Sequence, residues 1–238
     1  MRFRKRRGTA AALLLACHPL PALSMTAVLA GAAALSGRPL REIGLVAATV
    51  LAGQLTVGWV DDVVDVGRDR EAGRQDKPLA MGWVEPGTVV FAAACAFLVV
   101  VPLSVANGTV AGVAYLGSVL SLWLYDFWFK RTVLSWVPYA VSFGLLPAFL
   151  SYGGLGGGLH GSPPTIAVTV LAALLGVGVH VLTALPELVE DNQTGVRHLP
   201  LRIALRIGAP RLLWLATVYT VVVGAGLVAA ALTVGLRQ

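Results

Sequence analysis

Long uncharged segments alternate with short charged ones along this chain. An apolar segment of about 20 residues is long enough to cross a membrane as a helix. Two apolar blocks, 86–125 and 132–179, exceed that length, and turn-forming residues such as Asn107-Gly108 and Pro163-Pro164 interrupt them. The pattern predicts seven membrane-spanning helices, at about 9–35, 43–60, 86–105, 109–129, 133–152, 164–186 and 209–236.

The composition supports a polytopic, all-α membrane helix bundle. The chain is 57% hydrophobic and only 13% charged, whereas a soluble domain carries about 25% charged residues. A pI near 9.8 would suggest nucleic acid as the partner of a soluble protein. In a membrane protein the enrichment of basic residues in cytoplasmic segments explains it better, so no nucleic-acid partner is predicted.

The placement of basic residues predicts the orientation. If the N-terminus is cytoplasmic, the cytoplasmic segments are 1–8, 61–85, 126–132 and 187–211, and they hold fifteen of the eighteen basic residues. The first apolar region continues to Leu35, well beyond the 7–15 residues of a signal-peptide core, so it should remain as a span. We expect a multi-pass protein of the cell membrane with a basic cytoplasmic N-terminus at 1–8 and a single transmembrane domain at 9–238.

Eleven of the twelve acidic residues fall on the same side as the basic ones, which the orientation rule does not explain. Asp61, Asp62, Asp65 and Asp69 follow the apolar segment 43–60 directly, and helical geometry places Asp61, Asp65 and Asp69 at four-residue steps. These charges could belong to a solvated connector. Because uncompensated carboxylates at membrane depth are usually functional, and because Mg²⁺ binds carboxylates together with substrate phosphates, a metal site facing the cytoplasm is favoured.

A second acidic group, Glu187, Glu190 and Asp191, ends the sixth predicted helix. By itself it could be an ordinary helix terminus. Together with the first group on the same membrane side, it is interpreted as the facing half of one site. Carboxylates on two helices can hold metal ions on both sides of a diphosphate.

Between these groups the chain carries an aromatic and basic segment, residues 125–131. It could be an interfacial aromatic belt with snorkelling bases. The functional interpretation assigns phosphate binding to Lys130 and Arg131, and places Tyr125, or equally Trp128, beside a reacting carbon whose developing positive charge an aromatic face stabilises.

His18 lies beside Pro19 and Pro21, which predict a kink in the first span. Its ring either lines the chamber or bonds a backbone carbonyl that the kink frees. The sequence favours the second interpretation.

These residues, in this order, resemble the UbiA superfamily of intramembrane prenyltransferases. The first acidic group matches that family's N/D-D-x-x-D-x-x-x-D motif. Tyr125, Lys130 and Arg131 are similar to its Tyr/Lys motif, and the second acidic group with the run 195–200 is similar to its second Asp-rich motif. Lys77-Pro78-Leu79 looks like its Arg-Pro-Leu segment.

The resemblance implies Mg²⁺-dependent transfer of a prenyl group from a prenyl diphosphate to an unidentified acceptor, an aromatic or quinone precursor or a secondary metabolite, within the membrane lipid. The implied metal ligands are Asp61, Asp62, Asp65, Asp69, Glu187, Glu190 and Asp191. The implied diphosphate ligands are Arg74, Lys130, Arg131 and Arg197. The implied catalytic residues are Asp62, Asp65, Asp69, Tyr125 and Lys130.

Three features depart from the family pattern. Ala184 stands where the second motif begins with aspartate, and the Tyr–Lys spacing is one residue longer than Tyr-x-x-x-Lys. Seven helices are counted where the family has nine. The chain is therefore expected to be a compact variant, a truncated product, or a protein whose bundle an oligomer or partner completes.

Other functions remain open at this stage. A membrane terpene cyclase would ionise the same diphosphate without an acceptor. A transporter is disfavoured because no acidic residue lies in the middle of a predicted span; Asp and Glu cluster at one face of the membrane, and the chain shows no obvious internal repeat. A non-catalytic lipid-binding protein would have no reason to retain four adjacent aspartates.

Overall fold

The computed structural model describes residues 8–154 and 163–235, and all regular structure in these two segments is helical. The predicted all-α fold is therefore confirmed. The helices are α1 Thr9–Ala16, α2 Pro19–Leu35, α3 Leu40–Glu71, α4 Pro86–Ala106, α5 Thr109–Leu124, α6 Trp136–Ser151, α7 Ile166–Ala184, α8 Leu188–Gln193, α9 Leu199–Ile207 and α10 Ala209–Ala230. A π-helical turn, Tyr125–Phe129, follows α5, another, Ala231–Gly235, follows α10, and a 3₁₀ turn, Leu185–Glu187, joins α7 to α8.

Several of these helices are long and apolar enough to cross a membrane. Five qualify by length and composition within the described segments, and the bent pair α1–α2 would form a sixth. Helix α6 is apolar but has only 16 residues, fewer than the roughly 20 of a full span. Each predicted apolar segment thus corresponds to a helix or helix pair, while the count of seven spans and the orientation stay predictions.

Helix α3 differs from the prediction for its segment. It was expected to end near Val60, but it continues to Glu71 through all four aspartates. It ends at Ala72-Gly73, where Gly73 adopts a positive φ of 69°, the left-handed conformation that commonly closes helices. The first acidic group therefore lies on a regular helix.

Helix α3 occupies the centre of the bundle and packs against α2, α4 and α5, while α6 packs between α5 and α7, and α10 packs on α7. The core around it contains Val50, Tyr115 and Phe149. Helices α3 and α5 approach closely because position 53 is glycine; a Cβ there would overlap the Tyr115 ring.

The first apolar segment is broken into α1 and α2, which meet at 59°. The break lies at His18, directly before Pro19, the first residue of α2. Proline disfavours helical geometry in the residue before it, and His18 adopts a left-handed φ of 53°. The predicted proline kink is therefore confirmed, and it takes the form of a complete break.

Some predictions fall on residues that are not described. Residues 1–7 of the predicted basic N-terminus, residues 155–162 of the predicted outer loop and residues 236–238 at the end of the chain lie outside the described segments.

Candidate active site

The four aspartates of α3 lie together at the cytoplasmic end predicted for that helix. Asp62, Asp65 and Asp69 are buried, each with 2% or less of the residue exposed, and Asp61 is partly exposed. The helical spacing predicted from the sequence therefore places these carboxylates against neighbouring helices. Burying so many negative charges is costly unless cations compensate them, and cationic side chains reach them from three parts of the chain.

Lys77 is the first of these cations. It lies in the connector that follows α3 and is itself buried. Its Nζ is 2.6 Å from Asp62 Oδ1 and 3.4 Å from Asp61 Oδ2. Burial alone would lower the Lys77 pKa, but the charges of Asp61 and Asp62 raise it above its ordinary value. Lys77 was not among the predicted site residues, although the similarity of Lys77-Pro78-Leu79 to the family's Arg-Pro-Leu segment was the available signal.

Lys130 is the second cation, and a π-helical turn delivers it. Its buried Nζ donates to Asp61 Oδ1 at 2.6 Å and to Asp65 Oδ2. Its backbone N–H donates to the Tyr125 carbonyl at 2.8 Å, the five-residue bond of a π-helix. Burial lowers the Lys130 pKa, but Asp61 and Asp65 more than offset this and raise it well above its ordinary value.

The π-turn explains the unusual Tyr–Lys spacing. A π-turn contains one residue more than an α-turn, so residues five apart come to lie on one face. Tyr125 is buried, and the Lys130 Nζ lies 5.8 Å from the centre of its ring. The extra residue in the motif is therefore absorbed locally, and both side chains face the acidic group.

Arg68 is the third cation and connects the two acidic groups. Its Nη2 is 2.6 Å from Asp65 Oδ2, and its Nη1 is 2.9 Å from Asp191 Oδ1. Glu187 Oε2 lies 3.7 Å from Nη2. Residues separated by more than a hundred positions therefore meet, as predicted for two facing halves of one site. The central position of Arg68 was not predicted.

Arg74 forms ion pairs with Glu190 and Asp76 at the exposed edge of this network. It donates to Glu190 Oε2 at 2.6 Å and forms two bonds to Asp76, with Glu187 Oε1 3.9 Å away. The hydrogen bonds from Arg74 lower the Asp76 pKa to about 2, and the bonds to Asp76 and Glu190 raise the Arg74 pKa. Arg74 thus lies beside the second acidic group, where the sequence analysis placed a diphosphate ligand.

His18 projects from the break between α1 and α2 toward the first acidic group. Its Nε2 is 2.9 Å from Asp62 Oδ1 and 3.5 Å from Asp61 Oδ2. The favoured interpretation, a bond to a freed carbonyl, was wrong. The ring faces the aspartates because the left-handed conformation of His18 turns the chain there, a strained geometry that proteins retain mainly at functional sites.

Two further histidines, His198 and His180, lie near Asp191 and the Tyr125 ring respectively. His198 Nε2 is 2.7 Å from Asp191 Oδ2, and His198 Nδ1 accepts the Leu201 N–H at the start of α9. His180, on α7, is fully buried and bonds Ser135 Oγ through Nε2. The rings of Tyr125 and Tyr139 pack against it. Neither histidine was assigned a role from the sequence: the partner of His180, Ser135, is 45 positions away, and the contact of His198 with Asp191 depends on how the chain turns between α8 and α9.

The two other predicted diphosphate ligands are not drawn into this network. Arg131 and Arg197 are exposed, and among the described residues neither forms an ion pair with an acidic group. Their assignment stays a prediction.

The chemistry of the first acidic group fits a divalent cation. Asp62 Oδ2 is buried and, among the described residues, accepts no hydrogen bond. One ligand atom each from His18, Asp61 and Asp62 lie within 4.8 Å of one another. Hard carboxylate oxygens suit Mg²⁺, and an unpartnered buried oxygen is an expensive feature that a bound cation would satisfy.

An apolar cavity of about 600 Å³ lies between α2, α6, α7 and α10. Met25 is its lining residue nearest to His18 along α2, and seven residues of helix correspond to about 10 Å. From there the cavity extends to Arg38 and Glu42 at the opposite end of the bundle. The apolar cavity thus begins about two helical turns along α2 from His18, which itself contacts Asp62.

Comparison with known proteins gives a family and a fold. The UbiA prenyltransferase family matches residues 22–237. None of the curated protein sequences matches the chain.

Solved structures of similar fold include a UbiA homolog from Archaeoglobus fulgidus bound to GPP and Mg²⁺. That chain is 17% identical, with a TM-score of 0.69 over 92% of this chain and 78% of its own. The same homolog bound to Cd²⁺ gives a TM-score of 0.70 at 17% identity, over 94% of this chain and 80% of its own.

A structure described as digeranylgeranylglyceryl phosphate synthase in membranes is 16% identical, with a TM-score of 0.63 over 94% of this chain and 78% of its own. At these identities the structures establish the fold alone. The family match covers most of the chain and includes both acidic groups, so the chain belongs to the UbiA prenyltransferase family.

Proposed function

We propose that this integral membrane protein transfers a prenyl group from a prenyl diphosphate to an acceptor. The observation that carries the proposal is the meeting of two acidic groups, from α3 and from the 3₁₀ turn with α8, around buried cationic side chains, in a bundle that also holds an apolar cavity about two helical turns away. A diphosphate and an isoprenoid tail need these two environments in one molecule.

The family and the fold support this assignment. The similar homolog from Archaeoglobus fulgidus has been solved bound to GPP and Mg²⁺ and also to DMAPP and Mg²⁺. For this chain we propose Mg²⁺ as cofactor, held by the first acidic group with contributions from Glu187, Glu190 and Asp191. When bound, it supplies positive charge to the leaving diphosphate.

The side chains of the site take three roles in this proposal. Asp62, Asp65 and Asp69 hold the cation. Lys130 and Arg74 donate to the diphosphate oxygens, with Arg131 and Arg197 approaching from the exposed side. Because the ammonium of Lys130 is buried, its charge acts in a low-dielectric surrounding, where electrostatic stabilisation is strong.

The reaction balances as a substitution at carbon. The allylic C–O bond breaks with its electron pair leaving on the diphosphate, the acceptor forms a bond to the cationic carbon, and the acceptor loses a proton. Tyr125, buried beside Lys130 and packed on Tyr139 and His180, offers an aromatic surface to the developing cation. The buried surroundings exclude water that would otherwise capture it.

We place this site on the cytoplasmic side of the cell membrane, within a single domain at 9–238, because the predicted orientation puts fifteen of eighteen basic residues there. The acceptor, an aromatic or quinone precursor or a secondary metabolite, and any oligomer or partner that completes the bundle are proposed from the family resemblance.

The test is Mg²⁺-dependent release of pyrophosphate from C10 to C20 prenyl diphosphates by the protein in membranes, with and without aromatic acceptors. Asp65→Ala should abolish release, and Glu71→Ala, an exposed carboxylate on the same helix, should retain it. Release that requires an acceptor supports the transferase. Release with a hydrocarbon or alcohol product and no acceptor indicates a cyclase, and no release from folded protein overturns the proposal.

A further inference from the structure

Arg68 occupies the space between the two acidic groups. Its side chain is 8% exposed and contacts carboxylates of α3 and of α8 at once. Its Nη2 contacts Asp65 and its Nη1 contacts Asp191. Glu187 Oε2 lies 3.7 Å from Nη2. A divalent cation shared between the two halves of the site would use these same oxygens.

The oxygens of Asp191 are already engaged. Oδ1 accepts from Arg68, and Oδ2 lies 2.7 Å from His198 Nε2. His198 Nδ1 accepts a backbone N–H and therefore carries no proton, so in the neutral ring Nε2 is the donor to Asp191. Both oxygens of Asp191 are thus fixed by side chains of this protein.

Asp65 is engaged through one of its two oxygens. Its Oδ2 accepts from both Arg68 and Lys130. A metal that joined Asp65 to Asp191 would first have to displace a guanidinium whose planar fork is matched to carboxylates on two elements. Such a group is less easily replaced than a single-point ammonium contact.

The first acidic group, in contrast to the second, still offers a buried carboxylate oxygen to a cation. Asp62 Oδ2 is buried and unpartnered among the described residues, and His18 and Asp61 offer further ligand atoms nearby. The cation that faces them is Lys77, whose Nζ makes a 2.6 Å contact with Asp62 Oδ1. The first half therefore keeps one buried carboxylate oxygen for a metal, with only single-point ammonium contacts to displace beside it, whereas the second half is filled by arginine.

The sequence of the second half agrees with this difference. Ala184, buried at the end of α7, stands where the family motif begins with a carboxylate, so this half has one ligand fewer.

We propose that the Arg68 guanidinium takes the place of a second divalent cation, so that this chain binds one divalent cation together with its diphosphate. This inference rests on the proposed function, because it concerns the same diphosphate site. It revises the metal ligands proposed above: the permanent positive charge of Arg68 neutralises Asp65 and Asp191 in place of a metal, and the exchangeable cation lies on the side of Asp61, Asp62 and His18.

The experiment is a Mn²⁺ titration of the detergent-purified full chain by equilibrium dialysis against saturating inorganic pyrophosphate, in which the excess Mn²⁺ of the protein chamber over the protein-free chamber, measured by atomic absorption, gives the Mn²⁺ bound per chain. The wild type should bind one Mn²⁺ per chain. Arg68→Ala should bind two, because Asp65 and Asp191 become available. Arg70→Ala, the exposed arginine two residues further on, should still bind one.

Two further variants test the same inference, one by preserving the packing at position 68 and one by adding a carboxylate at position 184. Arg68→Gln keeps most of the side-chain volume and should also bind two Mn²⁺, and Arg68→Ala combined with Ala184→Asp should bind the second Mn²⁺ more tightly than Arg68→Ala alone. Two Mn²⁺ in the wild type, none in the wild type, or one in both folded Arg68 variants would overturn the inference. The proposed function fails separately, when a wild type that binds one Mn²⁺ releases no pyrophosphate from any prenyl diphosphate.

Discussion

The two acidic groups of this protein differ in how they are built. The first lies on one continuous helix, with three aspartates almost fully buried and one carboxylate oxygen unpartnered. The second is divided between a 3₁₀ turn and the short α8, and Glu187 and Glu190 are partly exposed.

Their partners differ as well. Two lysines, Lys77 and Lys130, face the first group, together with His18 and one nitrogen of Arg68, whereas the charges of the second group are bound by Arg68, Arg74 and His198. A rigid helix with an unsatisfied oxygen is suited to hold an exchangeable cation. A group already neutralised by arginine is suited to orient the bound diphosphate. We therefore expect the two halves to contribute unequally to metal binding and to kcat/KM.

The largest expected effect is loss of Asp62, the aspartate with one unpartnered oxygen among the described residues. Asp62→Asn should lower kcat/KM by about 100- to 1,000-fold, the usual cost of removing one electrostatic stabiliser. Asp191→Asn should cost less, about 10- to 100-fold, the range for supporting residues around a metal. The measurement is pyrophosphate release at saturating Mg²⁺, with folding checked by circular dichroism. Equal losses in the two variants would contradict the asymmetry.

The next effect concerns Lys130 and its π-turn. Lys130→Ala should lower kcat/KM by about 100-fold, because it removes a buried charge that faces Asp61 and Asp65. Arg131→Ala, which changes an exposed neighbour, should cause a smaller loss. Steady-state kinetics of both variants provide the comparison. A larger loss in Arg131→Ala would mean that diphosphate approaches from the exposed side.

The first acidic group could be predicted from local sequence. A charge-free segment followed by aspartates at four-residue steps already implies that the carboxylates share a helical face, and the helical periodicity continued through Asp69. The predicted span ends at Val60 because the charge-free segment ends there, whereas the helix itself continues to Glu71. The charges of the aspartates are tolerated inside the bundle because Lys77, Lys130 and Arg68 neutralise them.

The contacts across the bundle could not be predicted in this way. Arg68 meets Asp191 across 123 positions, and His18 meets Asp62 across 44. Such pairs depend on helix packing and on the left-handed turn at His18, neither of which a local pattern encodes. The π-turn was signalled only by a spacing one residue too long between Tyr125 and Lys130.

A smaller effect separates the two roles of His198, which holds Asp191 and caps α9. His198→Ala should weaken Mn²⁺ affinity about tenfold, as for other residues that orient ligands, and should lower stability by about 1 kcal/mol through loss of the cap. His198→Asn can still cap the helix, so it should recover stability but not affinity. Thermal unfolding and Mn²⁺ titration measure the two quantities. Full affinity in His198→Ala would show that Arg68 alone fixes Asp191.

The smallest effect lies at the exposed edge, where Arg74 bonds Asp76. The Asp76 pKa is lowered to about 2, so the ionised carboxylate is favoured by folding. Its contribution is complete above the unfolded pKa of about 3.9, and it is lost as the pH falls through about 2. The side chain of Asp76 is 64% exposed, and solvent screening limits the contribution to less than about 1 kcal/mol.

Asp76→Asn should therefore melt slightly below the wild type at pH 7 and at pH 5, and the difference in melting temperature should shrink below pH 4. A difference that grew toward low pH would mean that Asp76 carries a proton in the folded protein, and that Arg74 is held by Glu190 and the second acidic group instead.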